Sequence, residues 1–478
     1  MDKFLDKIFF RSKNLDYISQ NLKDITNQTP ANKIFKAINN YSESSEVRYV
    51  GGCIRKIIKR ENVDDIDLAT NLKPNEVCEA LKNKDINFYE TGIEHGTVTA
   101  IIDKYKYEIT SLRKDIKTDG RHATVEFSLD WKEDAARRDF SINSIYSDEE
   151  GNLFDPNNGK KDLEEGLINF IGDIESRIKE DYLRILRYIR FFLNYSKYEH
   201  DPEIIKVIKR NIDGISKLSG ERLLDEFKKL TKSNGFIKLF KDKDSLELIE
   251  IIFPQLKNLE RFKKLNPYAN NNLLKIDFIF LLALMIIDGT DNTDYFFYKF
   301  SMSKKDQKRL KLIDLFYKEK VNIKNFTEKN FNKIFYYNGK QAVSDIINFK
   351  LFRSSKVEKK LIKLMETYQD KVIPTMPVGA NLLMNKYNIP EGKTLGSKLK
   401  MIEEIWVGNN FNISDKQVEK IAKSWIYFTS LISKFLTPAG VLISTKSFLF
   451  LPISPLPIGD WKKINFCFKS ASSFPTIL

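Results

Sequence analysis

The sequence predicts an α+β chain: a small α/β unit with a mixed-sheet floor near the N-terminus, then helices for most of the remaining length. Three observations predict it. Between residues 46 and 155, short apolar runs alternate with helical patterns. The turn-rich run Asp155-Pro156-Asn157-Asn158-Gly159 closes that stretch, and strand signals nearly vanish after it. From there to about residue 435, Lys, Leu, Ile and Phe recur at spacings of three and four, the period of an amphipathic helix.

Taken in order, residues 1–45 read as short helices with polar breaks. Strands are expected over 47–50, 66–69, 97–102 and 106–110, with a helix after Gly52 and another beginning near Pro74, behind Asn71. Breaks near Gly214 to Gly220, Asn266 to Asn272 and Pro374 to Gly379 divide the helical part into segments. LSGERLLDEFKKL opens on Ser219 as an N-cap and turns Leu223, Leu224 and Phe227 inward. The last stretch, 436–478, carries Pro438, Pro452, Pro455 and Pro457 amid apolar residues and matches neither periodicity.

At 478 residues the chain exceeds one ordinary core, which points to two to four domains. Its 79 Lys and Arg against 65 Asp and Glu leave a formal charge of +14. That balance suits a polyanionic partner, although a solubilising surface gives the same count. Cys53, Cys78 and Cys467 lie far apart without CxxC spacing, so neither a disulfide framework nor a zinc site is indicated and a reducing compartment fits. The N-terminus is interrupted by charges and lacks a signal peptide's apolar core. No uncharged run approaches the roughly 20 residues of a membrane span, so a soluble cytoplasmic protein with no membrane partner is expected.

The chemistry gathers around VRYVGGCIRKIIKRENVDDIDLAT. Asp65 and Asp67 stand two apart in a strand pattern, which projects both carboxylates from one face. Adjacent carboxylates repel unless a cation lies between them, and an all-oxygen donor set favours Mg²⁺. Taken alone, such a pair is also compatible with two surface turn acids. The Gly51-Gly52 turn just upstream offers backbone N–H groups that can approach a phosphate. A third acid is needed from a neighbouring strand, and Glu108, sharing a face with Thr110, is the candidate; Arg113 follows on the same strand.

Arg137-Arg138-Asp139-Phe140-Ser141-Ile142-Asn143 offers donors for phosphate and acceptors for ribose hydroxyls, or else a capping cluster beside a buried Phe140. In EDYLRILRYIR, helical spacing puts Asp181 and Arg184 on one face, with Arg187 one turn on. A carboxylate accepts and a guanidinium donates. Cytosine and adenine present an amino donor beside a ring-nitrogen acceptor, whereas guanine and uracil present the reverse, so an Asp–Arg pair edge-on to a base takes C or A. An ordinary salt bridge would give the same spacing. His95, His122 and His200 are too scattered for a metal triad; His95-Gly96-Thr97 and Asp119-Gly120-Arg121-His122 read as turns around the cavity, with 119–134 a mobile strip beside it.

In order, GGCIR, DDIDLAT, HGTVTAII, EITSLR, RRDFSINSIY, DPNNGKKDL and EDYLRILRYIRF resemble the class II tRNA nucleotidyltransferase and bacterial poly(A) polymerase family over roughly residues 30–235. A weaker likeness, PVGANLLMNKYNIPEGKTLGSKLKMIEEIW, resembles the family's tail. The resemblance implies a nucleotidyltransferase-type head over 1–155, a helical neck carrying the base-recognition helix over 156–235, a body over 236–370, and a tRNA-binding tail over 371–435, with 436–478 unassigned. It also implies Asp65 and Asp67 as Mg²⁺ ligands; Glu108, from the strand reading above, is the expected third catalytic acid. Gly52, Arg55, Arg138, Asp181, Arg184, Arg187 and Arg190 are implied as nucleotide contacts, and the residue reading above adds Gly51, Asp139 and Asn143 to them. The implied reaction is template-independent transfer of CMP and AMP from CTP and ATP to the tRNA 3′ end; poly(A) synthesis, partial CC or A addition, and a non-catalytic RNA-binding protein are the alternatives. Lys56 departs from the family's Gly-Gly-x-x-Arg-Asp turn, and no further phosphohydrolase domain is expected.

Overall fold

In a computed structural model the described residues are 17–63, 65–119, 122–320 and 326–424. The expectations for 1–16 and 436–478 therefore lie outside the described residues. Two units are distinguished, one of residues 1–377 with 403–413 and one of 378–402 with 414–478.

Among the described residues of the first unit, nine strands follow one another in chain order: β1 (Val47–Val50), β2 (Ile66–Thr70), β3 (Asn87–Gly92), β4 (Thr97–Ile102), β5 (Tyr105–Ser111), β6 (Arg113–Asp119), β7 (His122–Phe127), β8 (Tyr146–Ser147) and β9 (Leu153–Phe154). Seven of them form one sheet in the order β3-β4-β5-β2-β1-β8-β9, and β6 with β7 makes a separate hairpin. The sheet is mixed because β2 and β5 run parallel while the remaining pairs are antiparallel. Strand alternation sorts β5 cleanly: Tyr107, Ile109 and Ser111 are buried, whereas Lys106 and Glu108 face water. On the dry face, Tyr49, Leu68, Val98 and Ile109 pack with α1 (Ala31–Asn39), whose Ile34, Phe35 and Ile38 are buried.

Helix α2 (Gly52–Ile58) links β1 to β2, and α3 (Trp131–Ala136) starts on Asp130, whose carboxylate accepts from the Lys132 N–H. Then come α4 (Ile174–Glu180), α5 (Leu183–Tyr195) and α6 (Gly220–Thr231). Ser219 caps α6, and Leu223 and Phe227 are buried with Leu224 packed at their edge. Further on, α7 (Lys304–Lys320) packs against α8 (Glu328–Arg353), which breaks at Gly339, φ 80°. In the second unit the buried Lys398 donates to the carbonyls of Ile421 and Ser424, at 3.3 and 2.9 Å, at the end of helix Asp415–Lys423. That arrangement satisfies carbonyls a helix end leaves open. No helix among the described residues is long and apolar enough to cross a membrane.

Two local expectations change. Asp65 stands one residue before β2 rather than within it. The helix expected near Pro74 does begin there, with Lys73 as its N-cap and Pro74 in the first turn. Among the described residues of 119–134 stand β7 and the start of α3. Residues 180–190 do not form one helix: Asp181 is extended, φ −150° and ψ 104°, because its carboxylate turns back to accept from the Leu183 N–H at 3.1 Å and so starts α5 anew. His200 precedes Asp201 directly, a pairing that spacing between histidines does not register. Its ring is buried, stacked on Phe192 and hydrogen-bonded to Tyr188, Asp242 and Ser245, while Asp201 caps the next helix, so both are structural.

The Asp155 turn fixes where the sheet region ends. Its carboxylate accepts from the N–H groups of Gly159 and Lys160 at 2.8 and 2.9 Å, which draws the backbone against Ser141. A Cβ on Gly159 would fall 2.0 Å from the Ser141 carbonyl oxygen. Gly159→Ala is expected to destabilise the fold by about 1–3 kcal/mol through overpacking; urea unfolding measures it, and an unchanged midpoint contradicts this close approach.

Candidate active site

Parallel register sets Asp67 directly beside Glu108, and both side chains leave the wet face of the sheet. They enter a cleft of about 680 Å³, with Thr110 and, on the far side, Asp181 and Arg184. That size falls within the ~300–1,000 Å³ typical of small-molecule sites. Burial pushes the Asp67 carboxyl up, and the charges of Glu108 and Asp65 push it further, against the pull of Arg138 and Arg55. Asp65 is exposed and is the one predicted site residue outside the cleft wall, although its charge reaches Asp67. Glu108 also pairs with Lys106 at 2.7 Å.

Among the described residues no group of three or more His, Cys, Asp or Glu is arranged as a ready cage for a metal. Mutually repelling carboxylates that share a cleft with arginines nevertheless fit a hard cation whose remaining ligands come from phosphate and water. The donor set is entirely oxygen.

The Gly51-Gly52 turn passes this acid closely. Gly51 adopts φ 67°, a left-handed conformation that glycine tolerates. A Cβ on Gly52 would lie 3.9 Å from Asp67 Oδ2. One turn later Arg55 is buried, stacked 4.8 Å from the Phe191 ring centroid, with Nε donating to the Tyr195 hydroxyl at 3.3 Å and Nη1 donating to Asn143 Oδ1. Lys56 on the same helix is not part of the cleft wall.

The arginine pair at 137 and 138 is organised by a residue that sequence reading passed over. Asp134, 1% exposed, takes Arg137 on Oδ1 at 2.6 Å and Arg138 on Oδ2 at 3.0 Å, and accepts from the Tyr146 hydroxyl at 2.6 Å. Burial alone would raise its carboxyl; the charges of Arg138 and Arg137 and the Tyr146 hydrogen bond outweigh that and hold it at about 2. Local sequence showed only an acid in a helix start, and an i,i+4 search from Arg138 would have found it.

Asp139 and Asn143 continue the framework. Asp139 accepts from Asn143 Nδ2 at 3.0 Å and from the Phe140 N–H at 2.9 Å, and meets Arg187 at 2.6 Å. Burial opposes its charge, but Arg187 and these hydrogen bonds hold the carboxyl below the usual range. A chain therefore runs Arg55, Asn143, Asp139, Arg187 from α2 to α5. Asp139 lines the cleft, but its carboxylate is already engaged by these partners.

Asp181 and Arg184 line the cleft without pairing to each other. Asp181 Oδ2 holds Arg222 at 2.9 Å, and Arg184 Nη1 donates to Glu180 and to the Arg177 carbonyl, both at 2.7 Å. Arg190 is anchored by the buried Glu226 at 2.5 Å. His95, Thr97, Glu180, Phe191 and Lys229 also line the cleft. Of these, His95 and Thr97 belong to HGTVTAII, whose start read as a turn around the cavity, and Glu180 and Phe191 belong to EDYLRILRYIRF; Lys229 lay in a helix read as structural.

Residues 47–169 match the family described as Poly A polymerase head domain, and residues 198–260 match the probable RNA and SrmB-binding site of polymerase A. The chain is 32% identical over 398 residues to the human mitochondrial CCA tRNA nucleotidyltransferase 1, covering 79% of this chain and 86% of that protein. It is 34% identical over 260 residues to the CCA-adding enzyme of Lactobacillus johnsonii, covering 53% and 64%. In fold it is similar to the Bacillus stearothermophilus CCA-adding enzyme solved with CTP, at a TM-score of 0.63 and 20% identity over 82% of this chain and 95% of that one.

Because the folded Asp134 carboxyl lies at about 2, below its value of 3.8 in an unperturbed chain, its stabilisation is present above pH 4 and lost as pH falls through 2. That contribution is about 2 kcal/mol at neutral pH. The gap in unfolding free energy between the native protein and Asp134→Asn should therefore shrink between pH 4 and 2; a gap that does not change with pH contradicts the charged clamp.

Proposed function

Since the chain belongs to the class II CCA-adding tRNA nucleotidyltransferase family, we propose that this cleft holds the incoming nucleotide between the Asp67–Glu108 strands and the start of α5. The chain adds CMP and AMP to tRNA 3′ ends without a nucleic-acid template, releasing pyrophosphate from CTP and ATP. The observation that carries the assignment of residues is the meeting, in one cleft, of Asp67 and Glu108 with Asp181 and Arg184.

A divalent cation belongs to this chemistry; we assign Mg²⁺, held by Asp65 and Asp67 with Glu108 beside them, because all the donors are hard oxygens. When bound it supplies Lewis acidity at the attacking 3′ hydroxyl and charge neutralisation at the leaving pyrophosphate. The chain's own residues do the rest. Gly51 and Gly52 let the backbone approach the triphosphate, and Arg55, Arg138, Arg187 and Arg190 supply positive charge along it. Asp139 and Asn143 position Arg187 and Arg55.

Asp181 accepts from the base amino group and Arg184 donates to the adjacent ring nitrogen, which selects C and A over G and U. Their present partners, Arg222 for Asp181 and Glu180 for Arg184, must be exchanged for the base. The tRNA is gripped by shape and phosphate contacts along basic helices, which we divide into neck (156–235), body (236–370) and tail (371–435) behind the head (1–155). No observation favours ATP-only tailing. Free Cys53 and Cys78 support a reducing compartment, which we take to be the cytoplasm; the human relative's name places that protein in mitochondria.

Asp67→Asn tests the site. Incorporation of labelled CMP into tRNA lacking its CCA end should fall about 10²-fold or more, with tRNA affinity by filter binding unchanged. In metal-free buffer the thermal midpoint should rise, because one of the repelling carboxylates is gone. Native-rate incorporation removes Asp67 from the reaction.

A further inference from the structure

A cavity of about 210 Å³, apart from the catalytic cleft, opens between α7, α8 and the turn that carries Arg261. Phe316 and Tyr317 of α7, Phe349 of α8, and Phe326 give it aromatic walls. Its charged lining is Arg261, Lys350 and Arg353, with no carboxylate.

Arg353 is built in. It donates to the Ile287 carbonyl at 2.9 Å and the Tyr317 hydroxyl at 3.1 Å, with its guanidinium 4.7 Å from the Tyr317 ring centroid and 5.1 Å from that of Phe349. The side chains of Arg261 and Lys350 have no ion pair or hydrogen bond among the described residues. The contrast with Arg309 on α7 is direct, since that guanidinium is neutralised by both Asp277 and Asp345. Burial lowers the Arg353 guanidinium, and the charge of Arg261 lowers it further. Like charges thus face one another around an aromatic space, an arrangement relieved by an anion.

The walls ask for a planar ring and the rim for a phosphate, and a nucleotide carries both. The space is smaller than the ~300 Å³ at which ordinary ligand pockets begin. It takes a single ring system and leaves the phosphate at the mouth, where Arg261 is exposed and Lys350 half-exposed. We propose that this cavity is a second nucleotide site, in which one unstacked base lies among Phe316, Tyr317, Phe326 and Phe349 while its phosphate is held by Arg261 and Lys350. Aromatic stacking and paired cations are the means by which proteins hold unpaired nucleotides without reading their sequence. The nucleotide comes from the tRNA substrate, an arm that rests on the function proposed above, or from the free pool.

The test uses the full chain and the double variant Arg261→Glu/Lys350→Glu, with the milder Arg261→Gln as a second variant should the reversal perturb folding. In filter binding with tRNA lacking CCA, affinity should fall about tenfold, and the slope of log K against log salt should shrink by roughly 1 for each phosphate no longer neutralised. In equilibrium dialysis with labelled AMP and no RNA, a free-nucleotide site appears as a second equivalent bound, lost in the variant. Weakened tRNA with unchanged AMP stoichiometry supports the RNA source. Loss of an AMP equivalent with unchanged tRNA affinity supports the free nucleotide, and loss in both supports a site open to either. Unchanged values in both overturn the inference. A native protein that adds no nucleotide sinks the proposed function yet leaves the AMP arm readable.

Discussion

The buried carboxylate of Asp139 is the constraint on which the rest of the site depends. It lies between the side chain of Asn143, which receives Arg55, and the guanidinium of Arg187 on α5. Taking such charges out of water costs several kcal/mol for each ion unless partners are well placed, and removing one partner of a buried pair typically costs about 3–5 kcal/mol. The pairing therefore leaves little freedom in how α5 meets the sheet region. Asp134 does the equivalent one turn earlier for Arg137 and Arg138, with Tyr146 contributing a hydroxyl. Two internal carboxylates thereby hold three arginines at one cleft, and a fourth, Arg55, through Asn143.

From this follows the division of labour across the cleft. On the sheet side, the charge of Glu108 acts against that of Asp67, which is the ground for the proposed cation site. On the helical side, Arg138, Arg187 and Arg190 line the cleft, each braced by an internal carboxylate. The proposed nucleoside triphosphate with its metal would engage both walls at once. The pair proposed to read the base is held differently: Asp181 and Arg184 each have an internal partner, Arg222 and Glu180. A base of wrong polarity offers nothing to replace those partners, and the penalty for leaving polar atoms unpaired adds to discrimination.

Much of this was legible in the sequence because it rests on local periods. Strand alternation alone put Glu108 on a wet face, and the ordered motifs gathered the residues that now line one cleft. What escaped depended on tertiary partners. Asp134 looked like an ordinary acid at a helix start, although Arg137 and Arg138 follow it at three and four residues; what the sequence does not show is the Tyr146 hydroxyl that closes the third side. Asp181 looked helical because spacing cannot register a side chain that caps its own backbone. The aromatic cavity was invisible because Arg261, Tyr317 and Phe349 belong to segments far apart in the chain, each reading as an ordinary amphipathic helix or turn.

The most direct measurement of the central claim is the sequence of the product formed on a tRNA lacking its last three nucleotides, with CTP and ATP supplied separately and then together. The account predicts cytidine addition from CTP alone, completion by a single adenosine when ATP is present, and then a stop. Long adenosine tails from ATP alone, or acceptance of GTP and UTP at comparable rates, would contradict it.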